Sequence, residues 1–116
     1  MNADAHKTAA EELDRSIADL GDPATRPYNR RAIIELYWGA SFEWLAYGTD
    51  HKHGKHKENH EGLVRFLRDV GEPVMADLWT ALEGIRRGGF YGHRNDLNNV
   101  LEAQRLWQDV RTWAQS

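Results

Sequence analysis

Apolar residues recur at intervals of three and four along most of the chain, and this spacing constrains the fold more than any other feature. The clearest stripe lies within residues 29–47 and comprises Ala32, Ile33, Leu36, Tyr37, Ala40, Trp44 and Tyr47. Such a stripe is typical of an amphipathic helix that buries one face. No segment shows the sustained two-residue alternation of a half-buried strand. The sequence therefore predicts an all-α fold.

Glycine, proline and polar clusters divide this pattern into helices. We predict helices over residues 5–20, 29–47, 57–71, 73–87 and 95–113. Residues 48–54 and 88–92 are glycine-punctuated and are predicted as loops. Because short connections make sequential helices antiparallel neighbours, we expect an antiparallel up-and-down bundle of four to five helices. The whole chain, residues 1–116, is predicted as a single helical domain.

The composition excludes several classes of protein. The chain has no cysteine, so disulfides, thiolate metal ligands and thiol nucleophiles are ruled out. A formal net charge of −3 does not give the basic field of a protein that coats nucleic acid, although a local basic patch remains open. No apolar stretch approaches the ~18 residues of a membrane span, and residues 1–12 are polar. We expect a cytoplasmic protein with no membrane contact and no cofactor.

Residues 51–60 form the first unusual segment, since they hold four of the six histidines. If the third helix starts early, His56 and His60 share a face, a spacing that lets two imidazoles bind one metal. His53 or Glu61 is a candidate third ligand, but the interleaved lysines disfavour another cation. The simplest interpretation is a solvated loop without metal. Alternatively, His53, His56 and His60 contact the phosphates of RNA or a nucleotide.

Residues 86–96 form the second unusual segment. Its glycines let the backbone approach a ligand, Arg87 carries a permanent charge, and His93 titrates near neutrality. A histidine can withdraw a proton from a ribose 2′-hydroxyl, while an arginine neutralises charge on the phosphorane, without a metal. The segment therefore predicts phosphate chemistry. Its other predicted RNA- or nucleotide-binding residues are Arg86, Tyr91, Arg94 and Asn95.

The same segment also suits an ordinary helix connection. Arg86 and Arg87 would then interact with the dipole at the end of the fourth helix, and the glycines would form the turn. Phe90 would close the end of the bundle, and Asn95 or Asp96 would cap the fifth helix.

The remaining aromatic and acidic residues give structural predictions. Tryptophans inside predicted helices are expected in core or dimer contacts rather than in base stacking, and these are Trp38, Trp44, Trp79, Trp107 and Trp113. The acidic residues of the first helix, Asp14 among them, are expected on a solvated face.

Three segments in order along the chain carry a family resemblance. Residues 32–47 place Tyr37 and Trp38 before the run Ala-Ser-Phe-Glu-Trp-Leu, residues 60–67 begin with His-x-x-Leu, and residues 85–96 carry arginine followed by histidine. Together they resemble the HEPN family of small helical domains. The resemblance covers about residues 5–114.

This resemblance implies an antiparallel helical bundle that usually dimerises. HEPN members include metal-independent ribonucleases of toxin–antitoxin and antiviral systems, and partners of small nucleotidyltransferases. Carried across, Arg87 is the signature arginine, with Arg86 as an alternative, and His93 is the signature histidine. Arg87 and His93 would then be the catalytic pair of an endoribonuclease.

Two functions follow as expectations. The first is a homodimeric HEPN-like domain that binds RNA or a nucleotide through the connection from Arg86 to His93, with help from residues 51–60. In an up-and-down bundle these two connections are expected at the same end, where they would form a shared site. The second is a non-catalytic interaction module that pairs with another copy or with a nucleotidyltransferase-type partner.

Overall fold

Helices account for most of the described chain. The computed structural model describes residues 1–91 and 95–116, apart from the side chains of Phe90 and Tyr91. The helices are α1 (Ala3–Leu20), α2 (Arg30–His53), α3 (Leu63–Asp69), α4 (Pro73–Tyr91) and α5 (Leu97–Gln115). A short 3₁₀ turn, Pro27–Asn29, leads into α2, and the described ranges contain no strand. The predicted all-α class is confirmed.

Helix α2 lies at the centre of the bundle and packs against α1, α4 and α5. Pairs of contacting residues show in which direction each helix runs relative to α2. They are His6–Glu43 and Leu13–Gly39 for α1, Glu35–Arg86 and Trp38–Glu83 for α4, and Tyr37–Trp107 and Lys52–Ser116 for α5. Along these pairs, α1 and α4 run antiparallel to α2, whereas α5 runs parallel to it. The four long helices therefore alternate up and down, and the short α3 packs on α4.

Capping residues set several helix ends. The Asn2 side chain accepts a hydrogen bond from the backbone N–H of Ala5 at 2.8 Å, and the Asp96 side chain accepts one from the backbone N–H of Asn99 at 2.9 Å. These bonds satisfy amide groups that have no partner within the first turn of a helix. Of the two residues predicted to cap the last helix, Asp96 forms the cap.

Three predicted boundaries are wrong, and glycine is involved each time. Helix α2 continues through Gly48 to His53, and α4 continues through Gly88 and Gly89 to Tyr91. A Cβ atom at Gly48 would collide with the Trp113 ring, and one at Gly89 would collide with the Asn95 side chain. These glycines make room for a neighbouring helix rather than ending their own. Helix α3 begins later than predicted, at Leu63.

The core forms where α2 meets its neighbours. Large side chains with 2% exposure or less come from all five helices and include Tyr37, Trp44, Leu67, Trp79 and Leu106. Trp44, Trp79 and Trp107 belong to the core cluster, and Trp38 and Trp113 are partly buried against it, which agrees with the prediction of core or dimer contacts. No helix in the described part of the chain is long and apolar enough to cross a membrane.

Asp14 is half-buried between three helices, contrary to the prediction of a solvated position. Its carboxylate accepts hydrogen bonds from the indole Nε1 atoms of Trp44 at 3.1 Å and Trp107 at 3.0 Å. Arg111 Nε lies 3.0 Å from the same carboxylate, whose side chain is only 12% exposed. In the sequence Asp14 resembles an ordinary solvated acidic residue, because the side chains that contact it belong to helices distant along the chain. A single acidic group thus joins α1, α2 and α5.

Replacing Asp14 with alanine should destabilise the protein strongly. Asp14→Ala leaves two buried indole N–H groups without an acceptor, which should lower the free energy of unfolding by about 2–4 kcal/mol. The control is Asp19→Ala, because Asp19 is exposed on the same helix. Urea unfolding of both variants provides the comparison. Equal effects of the two substitutions would show that Asp14 does not join the helices.

Two helical glycines should respond in opposite ways to alanine. Gly48→Ala places a methyl group against Trp113 and should destabilise by about 1–3 kcal/mol, as overpacking does. Gly84→Ala meets open space within α4 and should stabilise by up to about 1 kcal/mol through helix propensity. Thermal unfolding of the two variants checks the pair. A stabilised Gly48→Ala protein would contradict the packing described for Trp113.

Candidate functional site

The connection between α2 and α3 runs back along the bundle instead of staying at the end of α2. It begins at Gly54, in the left-handed region with φ +75°, and its last residue is Gly62, with φ +69°. Two residues before its end, the His60 ring contacts the Trp38 ring edge-on, with 5.3 Å between centroids. Trp38 precedes the end of α2 by about 22 Å of helix. The connection therefore carries His60 to the carboxyl-terminal half of α4.

His60 and Arg87 line one cavity of about 630 Å³ between this connection and α4. Trp79, Glu83 and Gly84 contribute to its wall. A volume of this size lies within the range of small-molecule sites. One residue from each unusual segment of the sequence thus lines the same cavity. The predicted placement of the two connections at one end of the bundle is wrong, because α4 runs antiparallel to α2 and ends far from His53. The path of the α2–α3 connection, and not the order of the helices, places His60 at this cavity.

The two arginines beside this cavity have different surroundings. Arg86 Nε lies 2.8 Å from Glu35 Oε2, and the Arg86 guanidinium stacks over the Trp38 ring at 4.1 Å. Arg87, by contrast, is 74% exposed, and its Nε is 3.8 Å from Glu83 Oε2. An exposed ion pair at this distance contributes little energy. Arg86 is thus held in place by two contacts, and Arg87 has N–H groups available to an incoming anion.

Glu83 connects the cavity to α2. Its Oε1 accepts a hydrogen bond from Trp38 Nε1 at 2.8 Å, and its side chain is only 17% exposed. The carboxylate therefore fixes the orientation of the indole on which His60 and Arg86 pack. Sequence reasoning missed Glu83, for which the position one helical turn before Arg87 was the available signal.

Several predicted site residues lie away from the cavity. His53 is near Glu72, with 3.7 Å between Nε2 and Oε2. His56 does not share a helical face with His60, because α3 starts only at Leu63 and both histidines precede it. Asn95 packs against α4 and donates to the Gly89 carbonyl oxygen at 3.4 Å. His93, Arg94 and the side chain of Tyr91 lie outside the described residues, so their roles stay predictions.

His56 belongs to a second cluster with His6 and Glu58. The His56 ring bonds to Asp50 Oδ1 through Nδ1 at 2.9 Å and to Glu58 Oε1 through Nε2 at 2.6 Å. The His6 ring contacts the His56 ring edge-on at 4.9 Å, and its Nδ1 lies 2.5 Å from Glu43 Oε2. Sequence reasoning missed His6. It lies one turn before Ala10 on the stripe that continues to Leu13 and Ile17, and this position on an apolar face was the available signal.

Charge within this second cluster shifts two pKa values. Burial alone would lower the pKa of His56, but its bonds to the carboxylates of Asp50 and Glu58 outweigh burial and raise that pKa. The His56 ring, assisted by the amino group of Met1, lowers the pKa of Glu58 to about 2. The two groups therefore favour the charged pair of imidazolium and carboxylate.

The chain matches no protein-family model, no curated protein and no solved structure.

The contribution of His56 to stability should depend on pH in a defined window. A raised His56 pKa stabilises the fold below the ordinary value of 6.5, and the effect is lost as the pH rises through the folded value. A lowered Glu58 pKa stabilises above the ordinary value of 4.5 and fails as the pH falls towards about 2. In chelator-treated buffer, the His56→Gln substitution should therefore lower the free energy of unfolding most between pH 4.5 and pH 6.5.

The control for this prediction is His51→Gln, because His51 is exposed and stacks on Tyr47 at 5.7 Å without a carboxylate partner among its described contacts. Chemical unfolding of the wild type and both variants across the pH range checks it. A His56→Gln deficit that grows above the ordinary pKa of histidine would contradict the charged pair.

Proposed function

We propose that this chain is a HEPN-like domain that binds RNA or a nucleotide in the cavity between the α2–α3 connection and α4. Arg87 and His60 are its phosphate-contacting residues. The observation that carries this proposal is their convergence on one open cavity from elements 27 positions apart in the sequence. The HEPN resemblance, in which Arg87 matches the signature arginine, points to the same class of ligand.

The electrostatic arrangement supports an anionic ligand. Arg87 presents a largely solvated guanidinium, whose planar set of N–H donors matches the oxygens of a phosphate. His60 is exposed at the cavity rim and adds a ring that can donate a hydrogen bond or carry charge. With a formal net charge of −3, the molecule as a whole does not attract polyanions, so binding must depend on this local pair.

The supporting wall is more rigid than the ligand-contacting groups. Trp38 is fixed by Glu83 through its indole nitrogen and by Arg86 across its face. This wall holds His60 through its edge-on ring contact. Arg86 therefore acts as a positioning residue for the cavity, and its side chain is already paired with Glu35.

Ribonuclease activity is the more specific form of the proposal. His93 would withdraw the proton of a ribose 2′-hydroxyl, whose oxygen then forms a bond to the adjacent phosphorus. The bond from phosphorus to the 5′-oxygen of the next nucleotide breaks, and the leaving oxygen takes a proton from water. Arg87 would stabilise the negative charge that builds on the phosphorane oxygens. This activity would require His93 to act on the same phosphate as Arg87.

Arg87→Ala should weaken RNA binding, and the matched control is Arg65→Ala. Both arginines are exposed and pair loosely with an acidic residue one turn away, but Arg65 does not line the cavity. Binding of a short fluorescent RNA is measured by anisotropy at several salt concentrations. We expect Arg87→Ala to lose about tenfold or more in affinity and to show a shallower salt dependence, since a phosphate contact is removed.

His60→Ala should also weaken binding, whereas Arg65→Ala should leave it near the wild-type value. Equal losses in Arg65→Ala and Arg87→Ala would show that overall charge, and not this cavity, drives the interaction. Cleavage of the same RNA that disappears in His93→Ala would establish the ribonuclease. Absence of RNA and nucleotide binding by the wild type at low salt would overturn the proposal in favour of the partner module.

A further inference from the structure

We propose that His6, His56 and Glu58 form a binding site for a divalent transition-metal ion of the zinc class. One donor atom from each residue lies within 4.8 Å of the other two. Two imidazoles and a carboxylate are an ordinary ligand set for zinc. The three residues come from α1 and from the α2–α3 connection, about 50 positions apart in the chain.

Carboxylates outside the ligand set orient both imidazoles. His6 Nδ1 lies 2.5 Å from Glu43 Oε2, and His56 Nδ1 lies 2.9 Å from Asp50 Oδ1. If each Nδ1 donates its proton to its carboxylate, each Nε2 carries the lone pair that a metal needs. Metal-binding histidines commonly have this carboxylate partner on the second nitrogen. The cluster thus contains both a ligand set and the residues that hold it in orientation.

The buried nitrogen of His6 is the independent observation that points to a ligand. The His6 side chain is 1% exposed, and its Nε2 has no hydrogen-bond partner among the described residues. Glu58 Oε2 faces it at 3.5 Å. A buried polar atom without a partner is unfavourable. In the tautomer with the proton on Nδ1, the lone pair of His6 Nε2 faces the Glu58 carboxylate, and the two repel each other. A cation bound between Nε2 and Oε2 would remove both unfavourable effects.

The distances suit closure around an ion. In a tetrahedral zinc site with bonds near 2.1 Å, the donor atoms are about 3.4 Å apart. His6 Nε2 and Glu58 Oε2 are already 3.5 Å apart, and His56 Nε2 is 2.6 Å from Glu58 Oε1. Zinc would displace the proton of this hydrogen bond, and the His56 ring would move outward slightly. Met1 lies on the remaining side, with its carbonyl oxygen 3.0 Å from His56 Nε2, so the fourth position would be taken by Met1 or by a water that displaces it.

The charged side chains bonded to the two imidazoles are carboxylates, those of Glu43, Asp50 and Glu58. Two nearby lysines are engaged elsewhere: Lys7 Nζ lies over the Tyr47 ring at 5.5 Å, and Lys52 Nζ bonds to the carbonyl oxygen of Ser116 at 2.9 Å. The amino group of Met1, 3.1 Å from Glu58 Oε2, is the cation that an incoming metal would have to displace.

The test is zinc binding by the full chain without a histidine tag. After chelator treatment, the protein is titrated with zinc chloride by calorimetry, and cobalt(II) absorption reports the geometry of the bound ion. We expect one ion per chain, tetrahedral cobalt bands, and a thermal stabilisation by zinc. His56→Gln and Glu58→Gln should each weaken binding by more than about 100-fold, and Asp50→Asn by about 10–100-fold, as for outer-shell partners.

The matched control is His51→Gln, which removes a histidine from the same part of the chain and should leave zinc affinity unchanged. His56 and Glu58 are partly or largely exposed, so these variants should fold, and circular dichroism verifies this. No zinc binding by the wild type would overturn the proposal. So would binding that survives both His56→Gln and Glu58→Gln, or that falls equally in His51→Gln. None of these outcomes bears on RNA binding at Arg87.

Discussion

The carboxylate of Asp14 is the interaction on which the arrangement of the helices most depends. It receives two indole N–H groups and one guanidinium, and so ties α1 to α2 and α5. A charge in such a position is stable only when it is neutralised and hydrogen-bonded, and this requirement restricts the rotation of each helix about its axis. Hydrophobic burial alone would tolerate several rotations. With α1 and α5 fixed on α2, the remaining face of α2 is left for α4.

Helix α2 therefore serves two candidate sites from two of its faces. Towards α4 it supplies Glu35 and Trp38, which form the wall behind Arg86 and His60. Towards α1 and the α2–α3 connection it supplies Glu43 and Asp50, which orient His6 and His56. Residues on a long, centrally packed helix are held more firmly than residues on loops. Both sites thus combine a rigid helix with ligand-contacting groups from a less regular segment.

The helices and the core could be predicted from the sequence, because the spacing of apolar residues is a local signal. The boundaries at Gly48 and Gly89 could not, since these glycines make room for the side chains of Trp113 and Asn95, and the spacing of apolar residues does not reveal such contacts. Functional and structural polar residues differ in the same way. His60 and Arg87 lie in polar segments that are recognisable in the sequence, whereas the role of Asp14 depends on contacts made only in the folded chain. Polar residues that act across helices leave little trace in a single sequence.

The path of the α2–α3 connection has an evolutionary consequence. Surface loops usually tolerate changes of length, because their ends alone are fixed. Here the connection is held at His56 and Glu58 on one side and at His60 on the other, and only Asn59 separates the two attachments. An inserted or deleted residue between them would pull one attachment out of place. Natural variation in length should therefore be confined to Gly54 and Lys55, before the first attachment.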